Sequence, residues 1–148
     1  MAQLSLHSPV GDLTVSSHDG HVVALDWGWA RDQDGDDLLG RAKSQLEAYF
    51  DAAAEFFELP LAPAGTPFQR RVWARMAEIP YGETMTYGAM AAALDSSARA
   101  VGMACGANPI PLIIPCHRVL AANGLGGYSG EGGVETKAAL LRLEKVLL

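Results

Sequence analysis

Cysteine is nearly absent: Cys105 and Cys116 are the two among 148 residues. Two thiols cannot build a disulfide framework, and they suit a reducing compartment, so a soluble, cytoplasmic protein is expected. Long hydrophobic runs are missing as well. The most apolar stretch, residues 100–116, is broken by Gly102, Gly106, Pro109, Pro111 and Pro115, which excludes one membrane-spanning helix there. The first residues alternate polar and apolar without a basic leader, so no secretory signal is expected. Internal repeats and low-complexity tracts are lacking too. Positive charge is scarce: 11 Lys and Arg face 17 Asp and Glu, a net of −6. Over the whole chain that argues against a phosphate-rich partner. The halves differ, however. Residues 1–66 carry 3 basic and 11 acidic side chains, whereas residues 67–148 carry 8 and 6, so the acidity belongs to the first half. Apolar residues are plentiful at 49%, enough for a packed core, which excludes a disordered or fibrous chain. The length fits one domain, or two small ones sharing a core.

The first 30 residues read as short strands. Leu4 and Leu6, then Leu13 and Val15, then Val23, Leu25 and Trp27 alternate with polar positions, with turn signals at Pro9–Asp12 and Asp19-Gly20 between them. A three-stranded antiparallel meander is expected. Residues 31–37 have no periodic pattern. Leu38, Leu39, Ala42, Leu46, Tyr49 and Phe50 then share one helical face, and residues 51–65 form a link broken by Pro60, Pro63 and Gly65. Thr66-Pro67 is a helix start, a capping hydroxyl followed by proline at the first helical position. Phe68, Val72, Trp73 and Met76 recur at helical spacing as core residues before Ile79-Pro80-Tyr81-Gly82 stops the helix. Thr86 and Ser97 cap two short helices, ending near Leu94 and Ala107, that form a helix-turn-helix. Residues 108–119 are expected to be extended or irregular, residues 123–133 a Gly-rich loop and residues 135–147 an amphipathic helix. The predicted boundaries are residues 1–65 and 66–148.

Chemistry concentrates in Pro115-Cys116-His117-Arg118-Val119. Cysteine beside histidine is a weak signal by itself, since a buried cysteine often acts as a small hydrophobe. Prolines keep this segment out of a regular helix, which leaves Cys116 available to a cleft where an imidazole can assist a thiolate. Glu144 lies on the last helix with Leu140 and Leu141. Its carboxylate either orients His117 or is a solvated helix charge. Arg70, Arg71 and Arg75 form either a solvated face or a phosphate-contacting patch, and Cys105 reads as a packed helix residue. His7, His18 and His21 have no thiol partners nearby in sequence, so no metal site is expected.

Asn108-Pro109-Ile110-Pro111 followed by Ile114–Val119 resembles the active-site signature of the O6-alkylguanine-DNA alkyltransferases. The likeness runs in order through Thr66-Pro67-Phe68, Val72-Trp73, Ile79–Thr84, Ala98–Gly102, Gly126–Gly130, Lys137 and Leu140-Leu141 to Glu144. The first half matches only in character. The resemblance implies an α+β fold: a ribonuclease H-like N-terminal domain with a three-stranded sheet and helix, then a mainly helical domain with a winged-helix-like helix-turn-helix. It implies direct, stoichiometric transfer of an alkyl group from O6-alkylguanine to Cys116, with O4-alkylthymine as a further candidate substrate and no cofactor. His117 would act on Cys116 through a water, Glu144 would hold His117, and Tyr87 would supply a proton to the departing base. The nucleotide must leave the duplex first. Arg99 would fill the gap from the minor groove, with Ala98, Gly102, Thr66 and Arg118 also at the DNA. Val119, Tyr128, Ser129 and Asn108 would belong to the base pocket, Asn108 also as a hinge. The partner would be double-stranded DNA containing alkylated guanine, met by a monomer. Two other functions compete: a non-enzymatic binder of alkylated DNA, disfavoured by the intact Cys116, and a cysteine hydrolase, disfavoured because no oxyanion-hole motif is evident.

Overall fold

Strands β1 (Ala2–Leu6), β2 (Leu13–His18) and β3 (His21–Trp27) form an antiparallel sheet in the order β1-β2-β3 in the computed structural model. Residues 1–128 and 130–147 are described. They fall into two units, Met1–Ala64 and Gly65–Leu148. In the first, helix α1 (Asp37–Phe50) lies on the sheet and buries Leu39, Ala42, Leu46 and Tyr49 with Leu6, Leu13, Val15 and Leu25. Asp36 starts the helix by accepting from the Leu39 amide, which satisfies a free N–H. The expected inward Val23 is only half-buried, and Val22 is buried instead. A register shift between Ser16 and Ser17 explains the difference, since one slipped residue exchanges the faces of a strand.

Two segments expected to be structureless are pinned to the sheet. Gln33 accepts from the Ser5 amide at 2.8 Å, Asp34 from the Gln3 amide at 3.0 Å, and Asp36 from the Ser17 hydroxyl at 2.9 Å. In the link, Leu61 pairs with Val22 in parallel, with the Val22 amide donating to Pro60 and Ala62 donating back to Val22. Such pairing is non-local and leaves no periodic trace.

The second unit opens with α2 (Pro67–Ala77), which Thr66 starts in a full capping box with Gln69. Trp73 is buried and its indole N–H donates to the Ala104 carbonyl at 2.8 Å, which fixes α2 against the helix that carries Ala104. Phe68 is half-buried. Helices α3 (Tyr87–Ala93) and α4 (Ala98–Gly106) are capped by Thr86 and Ser97 as expected, and Asp95 at φ +53° turns the chain between them. The short strand β4 (Met85–Thr86) pairs in parallel with β5 (Val119–Leu120), a contact that the sequence pattern did not indicate. Helix α5 spans Val134–Leu143 and ends before the expected residue 147, because Glu144 caps it and Lys145 turns at φ +64°.

Candidate active site

The segment between α4 and β5 is built to hold one side chain still. Asn108 is buried; its amide donates to the Ile114 carbonyl at 2.9 Å and its oxygen accepts from the Ile110 amide at 3.0 Å. Leu112, at φ +72°, lets the chain double back so that Pro111 and Ile114 bridge. A buried leucine in the left-handed region costs on the order of 1–3 kcal/mol, which the surrounding bonds must overdetermine. Cys116 then starts a 3-10 turn, Cys116–Arg118, instead of lying in an extended run.

The cysteine lines a cavity of about 420 Å³ together with Tyr87, Gly102, Cys105, Gly106, Gly127 and Tyr128. Burial pushes its thiol up, and the Asn108 side chain and the Lys137 charge oppose that. The resting residue is therefore a thiol that needs a base. His117 is fully buried, and burial outweighs its carboxylate partner in holding the ring below the ordinary histidine value near 6.5. A neutral imidazole follows. Its Nε2 lies 2.6 Å from Glu144 Oε2, so Nε2 carries the proton and donates it. The other nitrogen, Nδ1, is buried without a hydrogen-bond partner among the described residues, an acceptor ready for a proton.

Glu144 is the hub. Besides His117 it receives Arg118 Nε at 2.8 Å on Oε1 and Nη2 at 3.1 Å on Oε2, while Arg118 Nη1 donates to the Ile79 carbonyl at 2.7 Å. The solvated alternative for Glu144 is thereby overturned: its side chain has no exposure. Arg118 requires a correction, since its guanidinium is buried in this cluster and does not face a DNA surface. Val119 lends its carbonyl to Lys137, and Asn108 braces the Cys116 turn while its side chain also hydrogen-bonds the Cys116 thiol. Thr66 is exposed and occupied as a helix cap. Tyr87 and Tyr128 do line the cavity, and burial raises both phenols. Ala98 and Arg99 are exposed in the first turn of α4, and Gly102 borders the cavity. Ser129 lies outside the described residues.

Sequence reasoning missed the role of Lys137. Its ammonium is wholly buried, donates to the Val119 carbonyl at 2.7 Å and the Gly127 carbonyl at 3.0 Å, and sits 5.6 Å from the Tyr87 ring centre. The signal was present: Lys137, Leu140, Leu141 and Glu144 recur at i, i+3, i+4 and i+7, one face of α5. Gly126 packs against Tyr87, one of the lining residues. It sits at φ +75°, and a Cβ there would come within 2.9 Å of the Tyr87 ring. Cys105 is a packed helix residue whose thiol lies 3.5 Å from the Met76 sulfur, with burial pushing it up to about 12, yet it also borders the cavity. Among the described residues no cluster of His, Cys, Asp or Glu is arranged to hold a metal, and no helix is long and apolar enough to cross a membrane.

Known proteins resemble this chain. The family described as "6-O-methylguanine DNA methyltransferase, DNA binding domain" matches residues 67–146, and "6-O-methylguanine DNA methyltransferase, ribonuclease-like domain" matches residues 3–63. The methylated-DNA–protein-cysteine methyltransferase of Methanosarcina barkeri is 41% identical, covering 95% of this chain and 94% of its own. That of Mycobacterium tuberculosis is 41% identical, covering 95% and 90%. The solved structure of the Mycobacterium tuberculosis protein OGT in complex with DNA aligns at a TM-score of 0.87 and 41% identity, covering 98% of this chain and 93% of that one. Matched in order along both halves, the chain belongs to the 6-O-methylguanine DNA methyltransferase family.

Proposed function

We propose that this protein repairs DNA by moving the alkyl group of O6-alkylguanine onto Cys116, once per molecule. The observation that carries the reading is Cys116 in the wall of a cavity, held by a turn that also brings in His117 bonded to a buried Glu144. The thiol proton passes through a water to His117 Nδ1, and Glu144 stabilises the imidazolium that results. Sulfur attacks the alkyl carbon in line. The sulfur–carbon bond forms as the carbon–oxygen bond breaks, and the bonding pair stays on the guanine. Tyr87, kept protonated by burial, gives the departing base a proton. The thioether is a poor leaving group, so nothing in the chain restores Cys116.

The reacting carbon lies inside a duplex, so the nucleotide is flipped into the cavity. The exposed Arg99, on the helix that also supplies Gly102 and Gly106 to the cavity, fills the place it leaves. Two free thiols fit a reducing, cytoplasmic setting. The test is to incubate the protein with duplex DNA containing O6-methylguanine and weigh it intact. One methyl adduct on the Cys116 peptide, absent from Cys116→Ser, is expected. Tight binding without an adduct would instead identify a non-enzymatic binder.

A further inference from the structure

Helix α4 carries one large apolar side chain on its open side. Met103 is 69% exposed, whereas Val101, Ala104 and Cys105 face the interior. Met103 follows Arg99 by four residues, so the two stand one above the other on the same face. The adjoining positions are Gly102 and Gly106, where an added Cβ would meet nothing within 4 Å. The result is a smooth helix surface from which an arginine and a methionine project side by side. Gly102 and Gly106 also border the Cys116 cavity, so this ridge adjoins the opening through which a flipped nucleotide enters.

We propose that Met103 is an apolar wedge for duplex DNA, packing into the minor groove against the base step beside the nucleotide that Arg99 replaces. The proposal rests on the alkyl-transfer reading, under which α4 meets a duplex. A methionine exposed in the free protein gains free energy when a partner removes it from water, and minor-groove proteins use such apolar side chains to unstack and kink a step. Arg99 contributes charge and fills the gap; Met103 contributes apolar contact and holds the step open. The division has a consequence that only an uncharged contact gives. Loss of Met103 weakens binding at every salt concentration equally, because no counterion is released by it, while loss of Arg99 lowers the salt slope by about one.

The experiment uses the full chain and an undamaged duplex with 2-aminopurine at its centre, alongside transfer from free O6-benzylguanine. Met103→Ala is expected to weaken duplex binding about tenfold, the scale of one buried methionine. It should also reduce the 2-aminopurine signal and leave both the salt slope and free-base transfer unchanged. Met103→Leu should restore binding to within about twofold, since the two side chains are alike in volume. Unchanged or tighter duplex binding by Met103→Ala overturns the wedge, as does an equal loss of free-base transfer, which would place Met103 in the fold or cavity. Absence of transfer by the unaltered protein, from free O6-benzylguanine and from the O6-methylguanine duplex of the preceding test alike, defeats the alkyl-transfer reading instead, and the duplex-binding arm still judges the wedge.

Discussion

The two units bury polar side chains in contrasting ways. In the first, the interior polar groups are neutral: Ser5 and Thr14 share a hydrogen bond of 2.7 Å, and the Gln33 amide donates to Ser5 at 2.8 Å. These bonds fasten a loop to a sheet. In the second, the interior holds Lys137, Arg118, Glu144 and His117, all buried. Neutral hydroxyls find partners cheaply, whereas each buried ion is tolerable only with its counter-charge or carbonyls in place. The first arrangement secures a fold; the second also readies a proton acceptor next to a thiol.

That contrast is most severely tested at its hub. Glu144→Ala should destabilise the second unit by about 3–5 kcal/mol, because Arg118 loses its counter-charge in the interior and the neutral His117 ring loses the acceptor of its Nε2–H. Urea unfolding measures it, and a loss below about 1 kcal/mol, the level of an exposed ion pair, would remove the distinction. Lys137→Met comes next. It leaves the Val119 and Gly127 carbonyls unmet, at about 1–3 kcal/mol for each buried group, and it withdraws positive charge from Cys116, so transfer should slow beyond what the stability loss explains. A smaller change is expected from Thr14→Val in the first unit, about 1 kcal/mol with transfer unaltered. Thr14→Val matching Glu144→Ala would erase the comparison.

Acid supplies the gentlest test. Burial holds His117 below its ordinary value near 6.5, so the unfolded chain takes up a proton there while the folded one does not. The stability this neutral ring contributes is complete above that value and is lost progressively as pH falls below it. In the first unit the Leu39 amide, foremost among several bonds, lowers Asp36 from 3.8. Its contribution is complete above that value and is lost only as pH drops through the lowered one. Lowering pH from 7 should thus loosen the second unit first, as followed by resolved NMR signals from each unit. Disorder beginning in the first unit would contradict it.

Much of the scaffold was legible from local rules. The caps at Thr66, Thr86 and Ser97 and the faces of α1 and α2 follow from spacing and turn chemistry, which act within one or two helical turns. The β4–β5 pair, the parallel bridge of Leu61 with Val22 and the shift at Ser16 were not, because each joins distant residues without a periodic signature. In the site, Cys116, His117 and Glu144 could be named. Arg118 was misassigned for the same reason Lys137 was overlooked: a cation in a sequence reads as exposed until a buried partner is found.

The charge balance illustrates the division of labour. Sequence alone determined that the acidity lies in residues 1–66 and that a small basic excess accompanies Cys116 and Arg99. Only the folded chain decided which of those cations stay exposed to solvent. Arg118 and Lys137 are withdrawn into the interior, where Glu144 and two backbone carbonyls hold them, while Arg70 and Arg99 remain exposed. Charge is a property of residue type, but the dielectric around it and its distance from a partner are set by tertiary packing.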